Sequence, residues 1–389
     1  MPAMSFQSPD SRKRLRMEES STSFRKRDIE KILGPIPYSR SVVGRLRSRA
    51  TAQKDIEFWF EDGTLLIVAQ HIEFRVYKGL LTDRSVVFKG LLSQPHTHRT
   101  LSIGDQQTVR CPVVCVTDSP QDMRHLLCAL MPRGRKRFVS MLCYDTRVFG
   151  LTDALRNCSI WETSKPTYEQ ISALIRMGHK YQLKALYEQS LNFLKLHYTT
   201  DLRVWCESEH FAPPGWKEVC SIGVVNLARF INEPSILSTA LLACTVMNAE
   251  IVRGFARDDG TQETLSLDDL GRCFQAKSRI RQASITAVMR TFRRSVAPGC
   301  TQSTACKSAL RAALHGLEAY TDKLVLDDPF VPFEEFVRDR DLAVCEFCMR
   351  LVRERNWNER VAVWNSLPEF FGLNVPNWSM QQHHPGPGA

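Results

Sequence analysis

Residues 58–92 read FWFEDGTLLIVAQHIEFRVYKGLLTDRSVVFKGLL, and this stretch decides the fold. Around its start, Ile56, Phe58 and Phe60 alternate with Glu57, Trp59 and Glu61. That is the period of two of a strand with one buried face. Asp62-Gly63 follows, and both residues tolerate positive φ, which predicts a tight hairpin turn. Leu65 to Ala69 is a nearly unbroken apolar run, as in a strand covered on both faces. Phe74, Val76, Leu80 and Leu81 give way to Ser85-Val86-Val87-Phe88 and then Leu91-Leu92, at helical spacing, with Ser85 placed to cap. The order read is hairpin, short helical turn, short helix.

Further along, Val113 to Val116 suits another strand. Asp118-Ser119-Pro120 then supplies a cap and a proline for a first helical turn. Met123, Leu126, Leu127 and Leu130 form one apolar stripe. Residues 168–198, YEQISALIRMGHKYQLKALYEQSLNFLKLHY, hold two amphipathic helices joined at Gly178-His179-Lys180-Tyr181. His179 is read as a structural or interface histidine, since no nucleophile or carboxylate sits at a matching spacing.

Together these segments resemble a BTB/POZ domain over about residues 53–200. The family pattern "F-x-v-H-r-x-v-L-x-x-x-S-x-v-F-x-x-m-f" is matched from Phe74 to Leu92, with Tyr77 where the family usually has His. The family's "A-x-k-Y" is matched at Gly178 to Tyr181. The chain is similar to the expanded fungal, mushroom-type BTB proteins, which share an opening like Trp-Phe-Glu-Asp-Gly. An insertion at about 133–166 separates the helical halves; it carries Arg133, Arg135, Lys136 and Arg137. The resemblance implies an α+β BTB/POZ fold followed by an all-α domain. It implies a protein-interaction adaptor that self-associates as a homodimer, with Tyr77, Phe88, Leu91 and Leu92 at the protein interface. A cullin ubiquitin ligase is a further implied partner, with the chain as its substrate adaptor. The usual hydrophobic-x-Glu mark of such adaptors is absent, because no Glu occurs between Glu73 and Glu162.

The chain has 389 residues and 43% hydrophobic content, enough for two cores of ordinary size. It has no run of about 18 apolar residues, so no membrane span is expected, and no apolar leader. Thirteen scattered cysteines, an odd number, suit reduced thiols in the nucleus or cytoplasm.

The net charge of +10 is unevenly spread. Residues 1–50 hold twelve Lys and Arg against five Asp and Glu, leaving +3 for the rest. A segment so rich in charge and Ser and so poor in large apolar residues is expected to be largely disordered. Within it, Lys13-Arg14 and Arg25-Lys26-Arg27 have the spacing of a bipartite nuclear import signal, or form a plain solvated tail, or make non-specific contact with nucleic-acid phosphates. A nuclear transcription-associated regulator is the alternative functional class. Sequence-specific nucleic-acid binding is not expected, since no zinc-finger or basic-zipper spacing occurs.

Residues 215–375 read as helical. Val224 to Phe230 and Ile236 to Val246 suit buried helices, and Ser266-x-x-Asp269 opens another, with Leu267, Leu270 and Phe274 on one face. Cys306 to Leu317 and Phe333 to Arg353 are further helices, Asp258-Asp259-Gly260 is a turn, and residues 376–389 form a disordered tail. Cys300, Cys306, Cys345 and Cys348 are two thiol pairs that a helical hairpin could bring together around a structural zinc ion. The alternatives are ordinary buried thiols or a redox pair. The redox reading is weakened if Cys345 lies inside a helix, because thiolates are favoured at helix starts. No G-x-S-x-G, P-loop, H-E-x-x-H or G-x-G-x-x-G occurs, so no enzyme is expected.

Overall fold

The computed structural model describes residues 52–103, 107–131, 165–208, 211–317, 328–330, 332–333 and 344–378. The basic clusters of the first 50 residues, most of the 133–166 insertion and the tail beyond Trp378 lie outside the described residues.

The first part is a mixed α+β unit. Its elements are β1 (Gln53–Trp59), β2 (Leu65–Ala69), β3 (Ile72–Val76), α1 (Lys78–Arg84), α2 (Val86–Leu92), β4 (His98–Ile103), β5 (Gln107–Val116), α3 (Pro120–Leu130), α4 (Tyr168–Lys180) and α5 (Lys184–His197). The five strands lie in the order β1-β3-β2-β5-β4. β2 pairs antiparallel with β3 and parallel with β5, and its Leu65, Leu66 and Ile67 are fully buried. The apolar run therefore sits where both faces are covered, as expected.

Two local expectations fail. Asp62-Gly63 does not turn a hairpin, because β1 and β2 are not neighbours; β1 runs parallel to β3. The hairpin is β2–β3, turned at Gln70 with φ 53°. Gly63 is needed for a close approach instead. A β-carbon there would lie 2.9 Å from Cγ of Arg75, and Arg75 Nε donates to the Gly63 carbonyl at 3.1 Å. The alternation in β1 also breaks, with Ile56 at 93% exposure and Phe58 at 1%. The Asp55 carboxylate, held by Arg124 at 2.6 Å, accepts from the backbone N–H groups of Glu57 and Phe58. This local turn shifts the register between Lys54 and Trp59.

Ser85 does cap α2, accepting from the Phe88 N–H at 3.0 Å. Its hydroxyl also donates to the Tyr181 carbonyl at 2.6 Å, and the Phe88 ring stacks on Tyr181 at 4.4 Å. Phe88, Leu91 and Leu92 are thus core residues, with Phe88 at 0% exposure. This corrects their assignment to an interface. The helical spacing that marked them records the buried face of α2, and the exposed apolar residues of the two short helices are Leu80 and Val86.

The second part comprises α6 (Leu202–Glu207), α7 (Cys220–Phe230), α8 (Leu237–Thr245), α9 (Glu250–Arg253), β6 (Phe255–Ala256), β7 (Gln262–Glu263), α10 (Leu267–Thr291), α11 (Ser303–Gly316) and α12 (Glu346–Phe370). It is not wholly helical, since β6 and β7 form a hairpin with Asp258-Asp259-Gly260 as its turn. Two-residue strands are too short to show alternation in sequence. The hairpin carries Arg257 into the seam with the α/β unit, where it meets Asp122 at 3.0 Å, Glu169 at 3.2 Å and Asp259 at 3.4 Å. Tyr168 packs edge-on to Phe255 and Trp216 and lies over Gly223, where a β-carbon would collide with its hydroxyl.

α10 and α12 run antiparallel, with Arg272 Nη1 reaching the Phe371 carbonyl at one end and Arg355 Nη1 the Arg293 carbonyl at the other. Ser266 caps α10 through the Asp269 N–H at 3.1 Å. The face shared by Leu267 and Phe274 points outward, at 86% and 57% exposure, while Asp269, Cys273, Ala276 and Ile280 face the core. Asp269 turns inward because Arg229 binds it at 2.5 Å, and that rotates the apolar stripe to the surface. Trp378, expected in a disordered tail, is buried and donates to the Trp364 carbonyl at 2.7 Å. No described helix is long and apolar enough to cross a membrane.

Candidate metal centre

Three segments converge at the far end of the α10–α12 pair. The loop after α10 supplies Cys300, α11 supplies Cys306, and the start of α12 supplies Cys345 and Cys348. The four Sγ atoms lie within 4.8 Å of one another, and Cys345 Sγ to Cys300 Sγ is 3.6 Å. A tetrahedral ion with bonds of about 2.3 Å to sulfur requires edges of roughly 3.8 Å, so the donor set has the dimensions of such a site. Cys306 and Cys348 are buried beside Ala297, with Val296, Val344 and Leu351 packed around them. The four residues flagged from sequence are therefore the four brought together.

Backbone N–H groups point into the cluster. Ala297 N–H donates to Cys348 Sγ at 3.5 Å and Cys345 N–H to Cys306 Sγ at 3.3 Å. The Cys348 backbone amide beside it, with the thiols of Cys306 and Cys300, lowers the Cys345 pKa to about 7. Burial acts the other way on Cys348, pushed up to about 12, and raises Cys306. All eleven described cysteines are free thiols.

Cys345 is not inside a helix. It is the extended N-cap of α12, with φ −64° and ψ 160°. Its sulfur faces the unpaired N–H groups of the first turn, where negative charge is favoured. The signal in sequence was Glu346, an acid suited to a first turn. Sequence reasoning also missed the backbone donors, which no residue pattern announces.

The other flagged residues lie elsewhere. Tyr77 donates to Asp62 Oδ1 at 2.8 Å and packs on Phe60. His179 is exposed, with its ring against Phe230 and Tyr187. Lys13, Arg14, Arg25, Lys26 and Arg27 are outside the described residues.

Comparison of the chain with family models, curated proteins and solved structures finds no match.

Proposed function

We propose that the chain is a protein-interaction module of the BTB/POZ type that self-associates and recruits a partner. The observation carrying this reading is the contact between Ser85, Phe88 and Tyr181. The two most distinctive pieces of the resemblance lie 96 residues apart, and they pack on each other as parts of one motif should. The surface for self-association is the β1 edge with the exposed apolar residues nearby in sequence, Ile56, Leu80 and Val86. A cullin is the proposed recruited partner, with the ligase substrate held elsewhere. Sedimentation of the full chain tests the first part. The expected species is a dimer at micromolar concentration that becomes monomeric in Ile56→Glu/Val86→Glu with unchanged circular dichroism; a monomeric parent chain overturns it. Affinity capture with mass spectrometry tests the second: cullin and its ring partner recovered in near-stoichiometric amounts support the adaptor role, and their absence removes it.

We further propose that Cys300, Cys306, Cys345 and Cys348 hold a structural zinc ion. The donor set supports this: four thiols at tetrahedral dimensions, with backbone N–H groups donating to two of them. Four cysteine ligands leave no position for substrate or water, so the ion's role is to join α11 and α12 to the loop after α10. Elemental analysis should find about one zinc per chain, and under roughly a tenth overturns the site.

A further inference from the structure

Residues 270–317 carry nine Lys and Arg and no Asp or Glu, whereas the whole chain has a net charge of only +10. Several of these cations are used within the fold: Arg272 and Arg279 bind carbonyls of residues 369–372, and Arg290 pairs with Glu359. The cations next to the thiol cluster are not used this way. Arg293, Arg294, Lys307 and Arg311 are exposed and make no ion pair among the described residues, as do Arg350 and Arg353 of α12. Arg293-Arg294 and Arg350 come from adjoining segments. Arg355 donates to the carbonyls of Arg293 and Ser295, each at 3.0 Å, pinning the loop along α12. Glu346 and Glu354 are the exposed acids in this part of α12.

Between the loop and α12 stands Phe347, 44% exposed although it lies between two of the clustered cysteines. The Arg350 guanidinium sits 5.2 Å from its ring centre, and Gly299 leaves open the space beside it, where a β-carbon would be 3.8 Å from the ring. An exposed ring with one arginine over it, beside a loop along α12 that carries two more, has the two elements a single-stranded nucleic acid needs: a stacking surface for a base and forks for phosphates.

We propose that Phe347, with Arg293, Arg294 and Arg350, forms a binding surface for single-stranded nucleic acid, without sequence specificity. The charge recognises the backbone and the ring takes a base. An acidic protein would satisfy the arginines but leaves the ring without a purpose, so the strand is the occupant the geometry favours. This inference does not depend on self-association or on the zinc.

The test uses the full chain with Lys13, Arg14, Arg25, Lys26 and Arg27 changed to Gln, which removes the other basic segment. Anisotropy of labelled oligothymidine and oligouridine reads binding, and thermal melting reads folding. The reference should bind with a logarithmic salt slope of about −2, for some three phosphate contacts on a single strand. Arg293→Glu/Arg294→Glu should weaken binding about tenfold or more and flatten the slope. Phe347→Ala should weaken it roughly fivefold with the slope kept. A tighter fit to oligouridine marks RNA as the source, and equal binding or preference for oligothymidine admits DNA. Absence of binding by the reference, or unchanged binding by the arginine variant, overturns the proposal. Displacement by polyglutamate together with no effect of Phe347→Ala also overturns it, in favour of an acidic protein partner.

Discussion

The α/β unit and the helical part solve the same problem of closure by different means. In the α/β unit the ends meet through ordinary packing: Ser85 and Phe88 from one end fit Tyr181 from the other, and Tyr181 is itself wholly buried, with its hydroxyl on Asp118 at 2.5 Å. In the helical part, the helices at the α11–α12 end meet through small groups. Ala297, Cys306 and Cys348 form the core there, with Val288, Phe292 and Val352 in the next layer. Small side chains bury little apolar area, so they contribute little each. The proposed zinc would add to the burial that Val296, Val344 and Leu351 provide around these thiols. The two regions differ in what meets at their closing points: aromatic and apolar side chains in the α/β unit, and four clustered thiols with small neighbours at the far end of the helical part.

The sharpest way to break that comparison is Cys348→Ser, or a strong chelator applied to the parent chain. Either should remove the metal and lower the melting transition of the helical part by 10 °C or more, roughly, since structural zinc supplies folding free energy outright. The α/β transition should stay in place. Calorimetry with elemental analysis reads both. An unchanged melt after complete metal loss, or a preparation that never held metal, would remove the contrast between the two parts.

Phe88→Ala should do the converse. It opens a cavity between α2 and Tyr181 in a fully buried site, and such truncations cost about 3–5 kcal/mol. Denaturant unfolding should show the early transition in the α/β unit, with the metal retained. Ser85→Ala is the milder version, losing one cap and one buried donor, for about 1–2 kcal/mol.

The seam between the parts is next. The Arg257 side chain is 9% exposed and serves Asp122, Glu169 and Asp259, while Arg176 shares Asp122 at 2.9 Å. Arg257→Ala leaves those carboxylates short of a cation and should cost about 3 kcal/mol. It should also change the pH dependence. Against the opposing effect of burial, hydrogen bonds from the Thr261 hydroxyl and backbone N–H, with a smaller contribution from Arg257, hold Asp259 below the usual carboxylate range, so this group stabilises the fold above its unfolded pKa and loses that contribution as pH falls through the folded one. In the variant the acid-side loss from Asp259 should shrink. Stability measured against pH from neutral to acid checks this.

Much of the α/β unit was legible because its signals are local. The Ser85 and Ser119 caps, the fully apolar β2 and the stripe on α3 each follow from a few neighbouring residues. What was not legible came from partners distant in sequence. Asp55 reverses the facing of Ile56 because Arg124 anchors it, and β1 pairs with β3 and not with the strand after the Asp62-Gly63 turn. The facing of α10 follows from Arg229, which no periodicity of α10 contains. The four cysteines were found by type and spacing alone, but the extended backbone of Cys345 and the amides that reach its neighbours were not. Spacing picks out the four thiols; only the fold brings them within 4.8 Å of one another.

The smallest effect sharpens the comparison from inside the helical part. Asn356 lies on α12, one turn from Val352, at 1% exposure, and neither atom of its amide has a hydrogen-bond partner among the described residues. Thr291 of α10 is likewise fully buried with its hydroxyl unpartnered. An interior amide with nothing to bind forfeits its hydration, which costs about 1–3 kcal/mol. Leucine has the same branched heavy-atom skeleton and no such loss, so Asn356→Leu should raise the stability of the helical part by about 1 kcal/mol. If α10 and α12 were already held tightly by packing, as the α/β unit is, the gain would appear with or without metal. If instead the thiol cluster sets their separation, the gain should grow when the metal is removed, because apolar burial then has more to supply. Melting of Asn356→Leu with and without chelator distinguishes the two: an equal shift in both conditions would show that the helical part is closed by its packing, like the α/β unit.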